Sequence, residues 1–85
     1  MYGTMIPTDE VRGLVRMLIA RYGSIHEAGR AYDERFGYEG RYKRAHDGGQ
    51  AYYGNGTRLF TRILNGGSQS VSERTYDQIV TLEAS

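Results

Sequence analysis

The chain has no cysteine and no tryptophan, a single proline and only two histidines. Without cysteine there is no disulfide framework, no thiol nucleophile and no thiolate zinc site, and two histidines fall short of the four ligands a structural zinc takes. Neither a metal nor a cofactor is expected. Long apolar runs are missing as well. The longest mainly apolar stretch, residues 11–20, is interrupted by Arg12, Gly13 and Arg16 and is shorter than the ~20 residues needed to cross a bilayer. No apolar signal core follows the N-terminus, so the reading is a cytoplasmic protein with no membrane partner.

What is present bounds the answer further. Eighty-five residues suffice for one domain, and a domain of this size buries only about 60 to 65 % of its unfolded surface. A deep substrate cavity would hollow out a core that is barely filled, which argues against an enzyme. Hydrophobic residues make up 39 % and charged residues 25 % of the chain, an ordinary globular balance. The twelve glycines are about twice the usual share of roughly 7 % and predict loops.

Apolar spacing predicts four helices. Val11, Leu14, Val15, Leu18, Ile19 and Tyr22 follow the i, i+3, i+4, i+7 pattern of one buried helical face. This places a first helix over residues 8–22, with Thr8 as N-cap, Asp9 and Glu10 at the positive end of the dipole, and Gly23 as the stop. Ser24 and Glu27 have capping-box spacing and open a second helix whose apolar edge is Ile25, Ala28, Tyr32 and Phe36. Gly29 and Ala31 are small enough for another helix to approach closely, and Gly37 is the stop. A third helix is expected over residues 57–64, with Leu59, Phe60, Ile63 and Leu64 inward and Asn65-Gly66-Gly67 ending it. The fourth covers residues 72–83, capped by Ser70 or Ser72, with Tyr76, Ile79, Val80 and Leu82 or Val71 inward. Between the second and third helices, residues 38–56 carry five glycines and tyrosines of no sustained period. They read as an extended loop, or as a short hairpin turning at Asp47-Gly48-Gly49. The expected fold class is all-α: a four-helix domain over residues 8–85 with a Gly/Tyr-rich basic insertion at 38–56, preceded by an N-terminal arm of residues 1–7.

The formal net charge of +1 conceals a segregation. Residues 1–40 sum to −1 and residues 63–85 to −2, while residues 41–62 hold Arg41, Lys43, Arg44, Arg58 and Arg62 against Asp47 alone, giving +4. Five cations interleaved with Tyr42, Tyr52 and Tyr53 suit a phosphate-lined partner, since cations neutralise phosphates and tyrosines pack on sugars or bases. The same Tyr and Arg enrichment also suits a protein partner, so an adaptor or inhibitor that uses this loop is the alternative.

Helix one, then YGSIHEAGRAYDERFG, then GNGTRLFTRILNGGSQSVSERTYDQIVTLE together resemble the helix-turn-helix DNA-binding domains of phage-repressor (Xre-type) regulators. Ala28 or Ala31 stands where that family packs a small residue in its second helix, residues 58–66 stand for the recognition helix, and VSERTYDQIV for the closing helix. The resemblance runs over about residues 10–83. It departs from the family in the connection before the recognition helix, about nineteen residues instead of the usual three or four. It implies a small regulator or repressor of bacteriophage type, acting on double-stranded DNA in a bacterial host, with a homodimer as a possible binding form. The third helix would then read base edges in the major groove through Asn55, Thr57, Arg58, Thr61 and Arg62. Arg41, Lys43, Arg44, Tyr42, Tyr52 and Tyr53 would grip the backbone.

Other motifs carry less. Gly48-Gly49-Gln50 matches the tripeptide of peptide-chain release factors but reads as a turn, and the Asn55-Gly56-Thr57 sequon as a turn and helix cap. His26 and His46 lack a partner at ligand spacing and read as structural or solvent-facing. The adjacent pairs Asp9-Glu10 and Asp33-Glu34 point in different directions on a helix and do not support paired-carboxylate catalysis.

Overall fold

Helical periodicity and punctuation account for most of the chain. In the computed structural model, which describes residues 4–44, 46–67 and 69–85, the elements run β1 (Met5–Pro7), α1 (Thr8–Tyr22), α2 (Ile25–Phe36), β2 (Gly40–Arg44), β3 (Gln50–Gly54), α3 (Asn55–Asn65), β4 (Ser70–Ser72) and α4 (Glu73–Ala84). The apolar stripe of α1 is buried as its spacing requires, with Val11, Val15 and Leu18 fully enclosed and Leu14, Ile19 and Tyr22 packed at their margins. Phe60 and Ile63 of α3, Ala28 and Tyr32 of α2, and Ile79 and Leu82 of α4 complete one core, closed at one end by Val71 of β4. Phe60 meets Tyr32 edge-on, with centroids 5.4 Å apart. Full burial of each large apolar side chain contributes about 1.5 to 3 kcal/mol.

The helix ends follow local chemistry. Gly23, Gly37 and Gly66 adopt the left-handed conformation that ends α1, α2 and α3, each donating its N–H back into the last turn. Ser24 Oγ accepts the Glu27 N–H at 3.1 Å, while the Glu27 side chain turns to Arg30. Ser72, rather than Ser70, caps α4 by accepting the Thr75 N–H at 3.2 Å. At α1 the expected cap is displaced by one residue. Pro7 occupies the N-cap, and Thr8 is buried inside the first turn with its hydroxyl donating to the Gln69 carbonyl at 3.4 Å.

The all-α expectation is corrected by two antiparallel two-stranded ladders, which make the fold α+β. Met5, Ile6 and Pro7 pair with Ser72, Val71 and Ser70, and this ladder is extended by the Thr8 N–H to Gln69 and by the Glu73 N–H to Thr4. The described part of the N-terminal arm is thereby fastened beside the start of α4; its first three residues lie outside the described set. The second ladder pairs β2 with β3 in the register Gly40↔Gly54, Arg41↔Tyr53, Tyr42↔Tyr52, Lys43↔Ala51 and Arg44↔Gln50. The insertion is therefore a hairpin. Its turn runs through Asp47-Gly48-Gly49, where Asp47 Oδ1 accepts the Gly49 N–H at 2.9 Å and Gly48 takes a φ of +88°, a value that favours glycine. Hairpins are marginal in isolation, so this one depends on its anchor to α2. The third helix begins two residues earlier than expected because the hairpin delivers Asn55 directly into helical geometry.

Candidate functional site

Gly29 and Asp33 lie four residues apart on the inward face of α2, and both serve the junction with the hairpin and α3. A Cβ on Gly29 would stand 2.8 Å from Thr57 Cα, and one on Gly56 would stand 2.8 Å from Gly29 Cα. The backbones of α2 and α3 thus touch, with no room for a side chain on either glycine. Gly29, one of the two small residues expected to allow a close helix approach, is where α2 and α3 meet. Asp33 is only 1 % exposed; its Oδ2 accepts the Tyr52 hydroxyl at 2.7 Å and its Oδ1 accepts the Gly56 N–H at 2.8 Å. The N-cap of α3, Gly54, has no side chain to offer. A carboxylate from α2 supplies that cap instead, at the positive end of the α3 dipole. Burial, followed by the bond to Asp33, pushes the Tyr52 hydroxyl up to about 12 from its ordinary 10.0.

The anchored Tyr52 decides which way the hairpin faces. Directly opposed residues share a face of an antiparallel pair, so Tyr42, Arg44 and Gln50 lie on the Tyr52 side, where Tyr42 packs edge-on to Tyr52 at 5.6 Å. Arg41, Lys43, Ala51 and Tyr53 occupy the other side. From that side Arg41, Lys43 and Tyr53 line a cleft of about 650 Å³, together with Asn55, Arg58, Thr61 and Arg62 of α3 and with His26 and Glu39. Asn55, Arg58, Thr61 and Arg62 are all exposed, and Arg58 and Arg62, four apart, share the outer side of α3.

The electrostatics of this cleft are one-sided. Among the described residues Arg41, Lys43, Arg58 and Arg62 form no ion pair, whereas Arg12 is paired with Asp9 and Arg30 with Glu27 and Glu34. Among the described residues Glu39 is the one acidic side chain in the lining. Lys43 Nζ lies 5.7 Å from the Tyr53 ring centre, and the His26 ring meets Tyr53 edge-on at 4.9 Å. His26 Nδ1 is 3.0 Å from the Tyr52 carbonyl oxygen. Since a carbonyl only accepts, the proton sits on Nδ1.

The structure divides the residues expected from sequence. Asn55, Arg58, Thr61 and Arg62 are brought together with Arg41, Lys43 and Tyr53. Thr57 also borders the cleft, but it is only 5 % exposed and its hydroxyl donates to the Tyr52 carbonyl at 3.3 Å, so it fastens α3 to β3. Tyr52 is likewise interior, 7 % exposed and held by Asp33. Tyr42 and Arg44 are exposed on the opposite face of the hairpin. Three contributors escaped the sequence reading: Asp33, His26 and Glu39. For Asp33 a signal existed, because it falls one turn after Gly29 on the face that also carries Ala28 and Tyr32.

Among the described residues no helix is long and apolar enough to cross a membrane, and no group of three or more His, Asp or Glu side chains could hold a metal ion. Comparison of the chain with protein-family models, with curated proteins and with solved structures finds no match.

Proposed function

We propose that this domain binds double-stranded DNA sequence-specifically, with α3 as the recognition helix and the β2–β3 hairpin as a backbone arm. The observation that carries this reading is the convergence of Arg41, Lys43, Arg58 and Arg62 on one cleft, without an ion pair among the described residues, beside an exposed helix face. Cations left without carboxylates are available to phosphates and base edges. Arginine donates two hydrogen bonds to guanine O6 and N7, and asparagine pairs in the same manner with adenine, each worth about 1 to 3 kcal/mol of discrimination. Arg58 and Asn55 are the side chains best placed for those roles, with Thr61 and Arg62 flanking them. Regulation would then be steric, by occupation of an operator, as the resemblance to phage-repressor-type domains implies. A single short recognition helix gains useful affinity from a second copy or from an arm; the hairpin supplies the arm, and a homodimer on a palindrome would add to it.

The test is fluorescence anisotropy with a random-sequence duplex pool across a salt series. Three phosphate contacts, from Arg41, Lys43 and Arg62, give a slope of log affinity on log salt of about −2.7, from roughly −0.9 per contact. No duplex binding at low salt would rule the reading out and favour a protein partner for the hairpin, whose Tyr42 is 50 % exposed.

A further inference from the structure

The two walls of the cleft restrict how a duplex can lie against it, an inference that rests on the DNA-binding reading above. An α-helix with its side chains is about 10 to 12 Å across, and the major groove of B-DNA is about 12 Å wide. Once α3 occupies a major groove there is no width left for a second element in the same groove. The hairpin is a separate element from α3. It is held beside α3 by the Tyr52–Asp33–Gly56 hydrogen bonds, with cations facing the cleft from both sides: Arg41 and Lys43 from β2, and Arg58 and Arg62 from α3.

We infer that the cleft takes the sugar–phosphate backbone of one DNA strand, the wall of the major groove that α3 enters, clamped between α3 and the hairpin. Arg41 and Lys43 contact consecutive phosphates of that strand from the outside, and Thr61 and Arg62 contact it from the groove side. Arg58 is left free for base edges. The volume agrees: about 650 Å³ lies in the range of roughly 300 to 1,000 Å³ that holds a drug-sized ligand, which suits a short stretch of one backbone and is far too small for a duplex. Tyr53, backed by the His26 edge and by Lys43, forms an aromatic surface against which a sugar can pack. The clamp is asymmetric between strands, because only one strand borders both elements. Its rigidity comes from Asp33, whose two oxygens hold the hairpin and the first turn of α3 in one fixed relation.

The experiment is a methylphosphonate walk. A defined duplex recovered from the random pool is made with one neutral methylphosphonate at a time along each strand, and binding is measured by anisotropy across salt for the wild type and for Arg41→Ala/Lys43→Ala. These side chains are exposed, and circular dichroism checks that the variant is folded. The expected result is a run of consecutive positions on one strand where each substitution lowers the magnitude of the salt slope by about 0.9. In the double variant the slope is already lower by about 1.8, and substitution at the consecutive phosphates met by Arg41 and Lys43 has no further effect. Equal small effects spread over both strands, or unchanged sensitivity in the double variant, would overturn the clamp while leaving duplex binding intact. Tighter binding of the separated single strand than of the duplex would also overturn it, in favour of a cleft for free strands. Failure to bind any duplex at low salt would remove the clamp together with the reading on which it rests.

Discussion

Asp33 accepts the Tyr52 hydroxyl at 2.7 Å inside the protein, and through this bond α2 orients the hairpin. The other carboxylate oxygen caps α3 through the Gly56 N–H at 2.8 Å, so one side chain fixes both elements that line the basic cleft. Asp33→Ala leaves a buried hydroxyl and a buried N–H without partners. At about 1 to 3 kcal/mol for each unsatisfied group, the expected loss is about 2 to 6 kcal/mol, measured by urea denaturation. Tyr52→Phe removes one bond and one hydroxyl and should cost about 1 to 3 kcal/mol; equal stability to wild type would show that the bond does not contribute.

Alkaline pH should weaken the fold in a defined window. The Tyr52 hydroxyl is pushed from 10.0 up to about 12, first by burial and then by its bond to Asp33, and Tyr32 is raised as well, chiefly by burial. Both groups therefore hold their protons more tightly in the folded state than in the unfolded one. Their stabilisation is complete below about pH 10 and is lost as pH rises from about 10 towards 12, where the unfolded chain releases protons first. Denaturation midpoints followed between pH 8 and 12 test this, and Tyr52→Phe should flatten the decline.

The crossing of α2 and α3 tolerates no side chain at its centre. Gly29→Ala places a methyl group against Thr57, including its backbone, and Gly56→Ala places one against the backbone of Gly29. Overpacking of this kind costs about 1 to 3 kcal/mol, in spite of the better helix propensity of alanine. Thermal denaturation of both variants is the check; a rise in midpoint would mean that the helices separate without cost.

Helices were legible because their signals are local. The spacing of Val11, Val15 and Leu18 marks α1, and Gly23, Ser24, Gly37, Gly66 and Ser72 punctuate the helix ends. The strands had little such signal beyond the Asp47-Gly48-Gly49 turn, from which a short hairpin was one of the two readings of residues 38–56. Every residue of β2 is exposed, so there is no alternation of apolar and polar residues to read, and the three-residue strands β1 and β4 are too short for a periodic pattern and pair across segments distant in the sequence. Thr57 was expected at the DNA because it begins the third helix; it does border the cleft, but it packs against Gly29 and is almost wholly buried. The two hydrogen bonds of Asp33 were not legible, since its partners are nineteen and twenty-three positions away.

The hairpin register separates two arginines that the sequence grouped together. Arg41 faces the cleft opposite Tyr53, whereas Arg44 pairs with Gln50 on the other face. Arg41→Ala should lower the magnitude of the salt slope for duplex binding by about 0.9, and Arg44→Ala should leave it unchanged. Equal effects of the two substitutions would mean that the hairpin turns or bends on binding.

Base readout by α3 is the central claim, and selection of bound sequences from a random duplex pool, with sequencing, tests it most directly when wild type is compared with Arg58→Ala/Arg62→Ala. The wild type should enrich one motif; the double variant should lose the preference at the position read by Arg58 while keeping the salt-sensitive binding that Arg41 and Lys43 provide. No enriched motif for the wild type, or the same motif for both proteins, would contradict α3 as the recognition helix.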